Sequence, residues 1–537
     1  MRKLFIVALC LSAASPRLAA AEQPGGVTRN PVIWADVPDM AILRDGDTYY
    51  MSSTTMHMSP GVPIMKSHDL VDWKLVGYAY DTLDDADALN VENGQSAYGA
   101  GSWASSLRKH DGVYYVTTFS GTTRKNYVYT TDDIEHGPWK KQSFEPMLHD
   151  HSLFFDDGRA YMIYGGGDIR LVELKADLSG VKPGGVDQVI VRDAGAVAGG
   201  RRGLPAEGSQ MVKHDGRYYL FNITWPRGDM RTQIVHRADQ LTGPYEGRVV
   251  LHDQGVAQGT IVDTPDGDWY AFIFQDHGAV GRTPWLVPVR WEDGWPVHGV
   301  DGKAPRVLDL PADPDGLAGP DGLSGIVASD DFERAAGDRP LPLAWQWNHN
   351  PVNELWSLDQ RPGWLRLTTG RVDQTLVQTR NTLTQRTFGP ACSATVKLDA
   401  SGLRDGDVAG LGLLQRQYGY VGVQNDGGQL AVVAVAAERY QPSEQARTPI
   451  DQPVVYLRAE CDFRDREGGP GWVDRGGFAY SLDGQEWKSI GDPLPMAYTL
   501  PHFMGYRFAL FSLSTNTPGG HADFDDFTIS DQLRAGE

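Results

Sequence analysis

Asp45-Gly46-Asp47-Thr48-Tyr49-Tyr50, Asp111-Gly112-Val113-Tyr114-Tyr115, Asp157-Gly158-Arg159-Ala160-Tyr161, Asp215-Gly216-Arg217-Tyr218-Tyr219 and Asp266-Gly267-Asp268-Trp269-Tyr270 are five copies of one signal, an Asp-Gly turn running into one or two aromatics. Asp-Gly is hairpin chemistry, because both residues tolerate the positive φ that a tight two-residue turn demands. A hairpin signature recurring at roughly 45–65 residues predicts a β-propeller, one four-stranded blade per copy. Five copies mean five blades. Counting back eleven or twelve residues from the last aromatic of each copy reaches Asp39, Trp103-Ala104, Asp150, Glu207 and Gln258-Gly259. If the copies superpose, these positions lie on the innermost strands, which face the central axis. Three acids then converge on one funnel.

Working outward, the texture stays uniform from Pro31 to Gly299: short alternating runs rich in Tyr, Val, Trp and Thr, broken by Asp-Gly, Asn-Gly and Pro. No stretch holds a 3.6-residue apolar period for three turns, so the fold class is all-β. Residues 301–325 change to turn chemistry, with Pro311-Ala312-Asp313-Pro314-Asp315-Gly316 and Gly319-Pro320-Asp321-Gly322, and form a linker. Strands resume afterwards without the five-fold repeat, as in Trp364-Leu365-Arg366-Leu367-Thr368, which predicts a β-sandwich over residues 326–537. The propeller is assigned to residues 22–300. Ahead of it, Arg2-Lys3, an apolar run from Leu4 to Ala14 and Ala19-Ala20-Ala21 read as a secretory signal peptide over residues 1–21, too short for a membrane span. Export to a periplasm or the exterior follows, with no membrane-spanning segment elsewhere.

The formal net charge of the 537 residues is −20, and loss of residues 1–21 removes only basic charge. Such a chain repels nucleic acid and anionic lipid and suits a neutral or cationic partner. Cys392 and Cys461 are left after signal removal; one bridge is available to them, and two buried thiols are the alternative.

An Asp before a hairpin commonly caps its own turn. Registration argues otherwise for Asp39, Asp150 and Glu207, since inner-strand carboxylates have no outer surface to decorate and three in one funnel repel one another. The chemistry that uses paired carboxylates in a neutral, hydroxyl-rich pocket is glycoside hydrolysis: one acid donates a proton to the leaving oxygen, the other activates water or attacks.

On the motifs, the chain resembles glycoside hydrolase family 43, the five-bladed propeller xylosidases and arabinofuranosidases. The resemblance begins at Asn30-Pro31 and Ala35-Asp36-Val37-Pro38-Asp39, where the family has its Pro-Asp general base. It continues at Asp150-His151-Ser152-Leu153-Phe154, similar to the segment holding the family's pKa-modulating Asp, and at Ala206-Glu207-Gly208, similar to the segment of its general acid. Phe274-Gln275-Asp276-His277-Gly278-Ala279-Val280-Gly281-Arg282 resembles a fifth-blade signature found in part of the family. Trp345-Gln346-Trp347-Asn348-His349-Asn350-Pro351 and Asn381-Thr382-Leu383-Thr384-Gln385-Arg386 resemble the concanavalin-like jelly roll that accompanies many such xylosidases. Met40, His151 and Ser105 depart from the family's frequent prolines without removing a carboxylate.

The resemblance implies inversion, with the two carboxyls ~6.5–9.5 Å apart to admit water. It implies that Asp39 deprotonates that water, that Glu207 protonates the leaving oxygen, and that Asp150 orients Glu207 and raises its pKa. Arg282 is expected to bind sugar hydroxyls opposite the acids, a structural ion pair being the alternative. At His277 the resemblance implies a divalent cation, usually calcium, against the alternative of a histidine hydrogen-bonded inside the funnel. Trp34, Trp103 and Trp225, on or near the inner-strand segments, are expected to stack on sugar faces. The expected substrate is an oligosaccharide or polysaccharide, and the expected activity release of xylose, with α-L-arabinofuranosidase as the near alternative. A non-catalytic glycan-binding propeller is the alternative of another class.

Overall fold

The structure is a computed structural model that describes residues 28–308, 310, 325–335, 340–464 and 474–534. The expected signal peptide and residues 311–324 of the expected linker lie outside the described residues. Residues 307–308, also expected in the linker, instead form a short strand, Val307–Leu308, paired antiparallel with Thr28–Arg29. The chain's two extremes of the propeller are thereby tied together.

Five sheets of four strands each make the blades, in strict sequence order. The first is Ala41–Asp45, Thr48–Ser52, Gly61–Ser67 and Lys74–Tyr80; the fifth is Ala257–Asp263, Trp269–Asp276, Arg282–Glu292 and Trp295–His298. Each Asp-Gly copy is the hairpin joining a blade's first and second strands. In blades two, three and four the Asp and the Gly both take positive φ, as in Asp111 (48°) and Gly112 (78°), the geometry of a type I′ turn. Blade three shows the register: Asp156 faces Arg159 across Asp157-Gly158.

Fixing that turn fixes where each inner strand begins. Asp39 stands two residues before Ala41–Asp45, Ala104 two before Ser106–His110, and Asp150 two before Ser152–Asp156. Glu207 behaves differently. It lies inside the long strand Arg202–His214, whose pairing with Arg217–Pro226 shifts register on both sides of Glu207. Glu207 counts twelve from its aromatic and the two aspartates eleven, because Gly208 takes the eleventh place in blade four. Asp39 (φ 53°), Asp150 (φ 48°) and Gly208 (φ 65°) share the left-handed backbone, so the residue equivalent to the two aspartates in blade four is Gly208.

The second half is a sandwich of two large antiparallel sheets. One runs Gln441–Ile450, Gln429–Glu438, Gly419–Asp426, Asp407–Leu414, Arg507–Ser514, Leu383–Arg386, Gln346–Asn348, and then Met58–Ser59 from the first blade. The other centres on His521–Ser530, Ala391–Asp399, Val454–Asp462 and Asp474–Ser481. Cys392 and Cys461 face each other on adjacent strands of that sheet, both buried and both free thiols.

One apolar core crosses between the halves. Ile33, Val37, Met40, Phe272, Phe274 and Val280 of the propeller belong to the same buried cluster as Trp345, Trp347, Phe388, Leu413 and Phe508 of the sandwich. At the same joint His57 Nε2 lies 3.0 Å from Asn348 Oδ1, and the Ala97 N–H donates to His349 Nε2 at 3.0 Å. The two halves are therefore packed as one body.

Candidate active site

The inner-strand starts of blades one and three, the bulge of blade four and the loop between strands two and three of blade five meet at one end of the propeller. Asp39 is buried, and Arg282 Nη1 donates to both its oxygens at 3.0 Å; the two side chains are only 5% and 4% exposed. Burial pushes the Asp39 carboxyl above its usual range; Arg282 opposes this, while Asp36 and Glu207 add to it and Arg231 also opposes it. Both the ion pair and the charge opposite the acids expected of Arg282 are thus present in one contact.

Asp150 Oδ2 accepts the Gly208 N–H at 3.1 Å. That bond ties blade three to the residue following Glu207, and Gly208 is needed there: its φ is left-handed, and a Cβ would come within 2.8 Å of the Gln258 side chain. Burial pushes Asp150 up to about 7, against the charge of His149 and helped by Glu207 and Asp39. Asp39 and Asp150 thus both feel the charge of Glu207, and Asp150 also that of Asp39.

His149 was not singled out by the sequence reading. Its Nε2 lies 3.1 Å from Glu207 Oε2 and 3.9 Å from Asp150 Oδ2. Burial pulls this imidazole down, but the bond to Glu207 and the two negative charges outweigh it and raise it to about 9. The next residue, His151, is buried between Leu148 O and Thr117 Oγ1, each 3.0 Å away, and burial drops it to about 4. It is a neutral prop beneath the site.

Four further residues were not singled out, two of them from the sandwich. Asp36 Oδ1 accepts the Arg282 N–H at 2.7 Å, and its Oδ2 accepts the Gly505 N–H at 2.9 Å, clamping blade five to a sandwich loop. Phe503 of that loop offers its carbonyl to Arg282 Nη2 at 3.3 Å, and its ring lies 5.1 Å from the guanidinium and 4.9 Å from the Trp103 ring. Asp474 Oδ2 accepts the Ala279 N–H at 2.6 Å. Arg231 pairs with Asp276 at 2.5 Å. The two sandwich contributors, Phe503 and Asp474, carry no local sequence pattern that marks them.

Trp103 is half-buried and joins this wall. Trp34 is half-buried too, its ring 4.6 Å from that of His277, and a Cβ on Gly389 of the sandwich would strike it. Trp225 is 41% exposed, donates its indole N–H to Asp229 O at 2.6 Å, and lies 5.6 Å from the Arg231 guanidinium. Around His277 no carboxylate cluster gathers: the group of three such side chains with polar atoms within 4.8 Å of one another, among the described residues, is His149, Asp150 and Glu207. Calcium prefers six to eight oxygens, so the side chains at His277 are a poor match for it. Grooves of about 550 and 620 Å³ elsewhere, one lined by Tyr98, Arg371 and Tyr440 and the other by Tyr115, Phe155 and Lys182, hold none of the acids; the site is marked by converging charge rather than by cavity size.

Residues 28–296 match the model of glycosyl hydrolases family 43, and residues 329–530 match that of the β-xylosidase C-terminal concanavalin A-like domain. A β-xylosidase of Formosa agariphila is 29% identical over 94% of this chain and 91% of its own length. A non-reducing end α-L-arabinofuranosidase of Bacteroides ovatus is 29% identical over 63% of this chain and 64% of its own. Among solved structures, a bifunctional GH43-CE protein of Bacteroides eggerthii superposes with a TM-score of 0.91 at 60% identity; it covers 95% of this chain, which spans 64% of that protein's length. With its five blades, its sandwich and its matched segments, the chain belongs to glycosyl hydrolase family 43 and is a glycoside hydrolase.

Proposed function

We propose that the enzyme is an exo-acting, inverting β-xylosidase in which Asp39 is the general base, Glu207 the general acid and Asp150 the residue that positions Glu207. The observation that carries this is the meeting of carboxyls from blades one, three and four within reach of one another's charge. Asp39, gripped by Arg282, is fixed in orientation and takes a proton from the attacking water as its oxygen bonds the anomeric carbon. Glu207 gives a proton to the departing glycosidic oxygen as the carbon–oxygen bond breaks. Asp150 holds the Gly208 N–H, and through it the backbone at Glu207. Phe503 and Trp103 wall one side, which supports removal of a terminal sugar rather than cleavage within a chain.

Xylose is the sugar favoured by the relatives named β-xylosidase, and the arabinofuranosidase relative makes the second arm of the test obligatory. Purified enzyme is assayed on an aryl β-xyloside and an aryl α-L-arabinofuranoside. Faster turnover of the xyloside is expected; preference for the arabinofuranoside would move the assignment, and no turnover of either would leave a glycan-binding propeller. Glu207→Ala is expected to lose ~10²–10⁴-fold on a xylose disaccharide but far less on an activated aryl xyloside, whereas Asp39→Ala fails equally on both. Equal losses for Glu207→Ala would remove it from the acid role.

Two expectations stand beside this reading and do not enter its steps. A calcium ion at His277 would have to draw its oxygens largely from water; loss of activity on chelation, restored by calcium, supports it, and indifference to chelator removes it. Export is supported by the pattern of residues 1–21, and a mature N-terminus beginning near Glu22 is the expected result of sequencing the secreted protein.

A further inference from the structure

His149 has no part in the reaction above, yet it occupies a particular place. Its Nε2 is 3.1 Å from the oxygen of the proposed acid, and its side chain is 44% exposed where that of Asp150 is 7% exposed. It therefore touches Glu207 on one side and water on the other. The charged groups facing it are Glu207 from blade four and Asp150 from its own segment; behind it lies neutral His151, and the Phe119 ring of blade two meets it edge-on at 5.5 Å. No cation competes for either carboxylate at this corner among the contacts described.

We propose that His149 recharges the general acid: the His149–Glu207 pair holds one proton on Nε2 in the free enzyme, and that proton moves to Glu207 Oε2 as substrate fills the site. This rests on the reading of Glu207 as the acid. In the open site an imidazolium beside a carboxylate is stabilised by surrounding water. When a sugar expels that water, separated charges become costly and the neutral pair gains, so the transfer is driven by binding. Glu207 then passes the proton to the glycosidic oxygen, water yields its proton to Asp39 and its oxygen to the anomeric carbon, and both residues return to the start by exchange with solvent. The elevated proton affinity of this imidazole agrees with a pair that keeps its proton well past neutrality. His149 acts through Glu207 and is a positioning residue in that sense.

The test compares wild type, His149→Gln and His149→Asn on a xylose disaccharide and on an activated aryl xyloside. Gln keeps a donor near Glu207 but cannot titrate. The alkaline limb of kcat/KM is expected to fall by a pH unit or more in both variants, with a ~10–100-fold loss on the disaccharide at neutral pH and a smaller one on the activated substrate. A Gln variant with the wild-type limb and rate would overturn the proposal. Should both variants misfold, ¹⁵N-histidine NMR of the intact wild type decides: one imidazolium persisting above about pH 8, and lost at that pH in Glu207→Gln, is expected, and its absence in wild type refutes the idea. Failure of the parent reading is separately visible, as equal losses across leaving groups in Glu207→Ala.

Discussion

At the scale of the residue, the Asp39–Arg282 contact decides how the base works. A buried carboxylate without a cation simply holds its proton, because desolvation penalises the charged form; Arg282 is what lets Asp39 ionise in a place that burial and its neighbours push the other way. The sign follows. A carboxyl raised above its unfolded value favours the fold in acid, and that contribution is lost as pH rises through the raised value, so the site trades stability near neutrality for a fixed base. Arg282→Met should therefore shift the acid limb of kcat/KM to higher pH and lower the plateau by at least ~10²-fold, read from pH–rate profiles on an aryl xyloside. Removing one partner of a buried pair costs ~3–5 kcal/mol when the other stays charged. Here the melting temperature should fall by less than that implies, since Asp39 can protonate. An unmoved acid limb would show that Arg282 only holds structure.

At the scale of the element, each blade's first hairpin sets a register and the register delivers a residue to the axis. That much was legible in blades one to three, where the count of eleven lands two residues ahead of the first strand; in blades four and five it lands inside the strand, and the blade-five loop is longer than two residues. The count of twelve at Glu207 marked a real offset: Gly208, at eleven, holds the backbone state of Asp39 and Asp150, and Glu207 stands one residue ahead of it in a bulged strand. His149 stands twelve residues before Tyr161, the same count as Glu207 before Tyr219, but the count singled out acids and Asp150 beside it took that place. Phe503, and the bond that Asp36 makes to its loop, were illegible for another reason: Gly505 is 469 residues from Asp36 along the chain, and only the folded joint brings them together. The loop carrying Phe503 has its own consequence. Phe503→Ala keeps the backbone carbonyl near Arg282 but removes the ring between Arg282 and Trp103, so KM for small aryl xylosides should rise several-fold while kcat falls less. A variant with unchanged KM would take the ring out of the sugar pocket.

At the scale of the whole molecule, the sandwich cannot be read as an appendage. Its sheet ends on Met58–Ser59 from blade one, its Phe503 carbonyl and Asp474 carboxylate bond Arg282 and Ala279, and its core is continuous with that of the propeller. Buried histidines line the same joint: His57, His349 and His502 sit ring to ring with Tyr98, and burial lowers the proton affinity of all three histidines. A chain ending at residue 325 would expose Val37, Met40, Phe272, Phe274 and Val280, each worth ~1.5–3 kcal/mol when buried if large and apolar. It would also uncover the edge of Met58–Ser59 and leave Asp36 with only its bond to Arg282. Together these losses are as large as the ~5–15 kcal/mol by which a domain is usually stable. The truncated chain should therefore be poorly soluble and inactive even on small aryl xylosides, measured by yield in the soluble fraction and by turnover. A separate binding module would leave a soluble fragment with full activity on small substrates and weaker attachment to insoluble polymer, and that outcome would overturn the view that the sandwich completes the site.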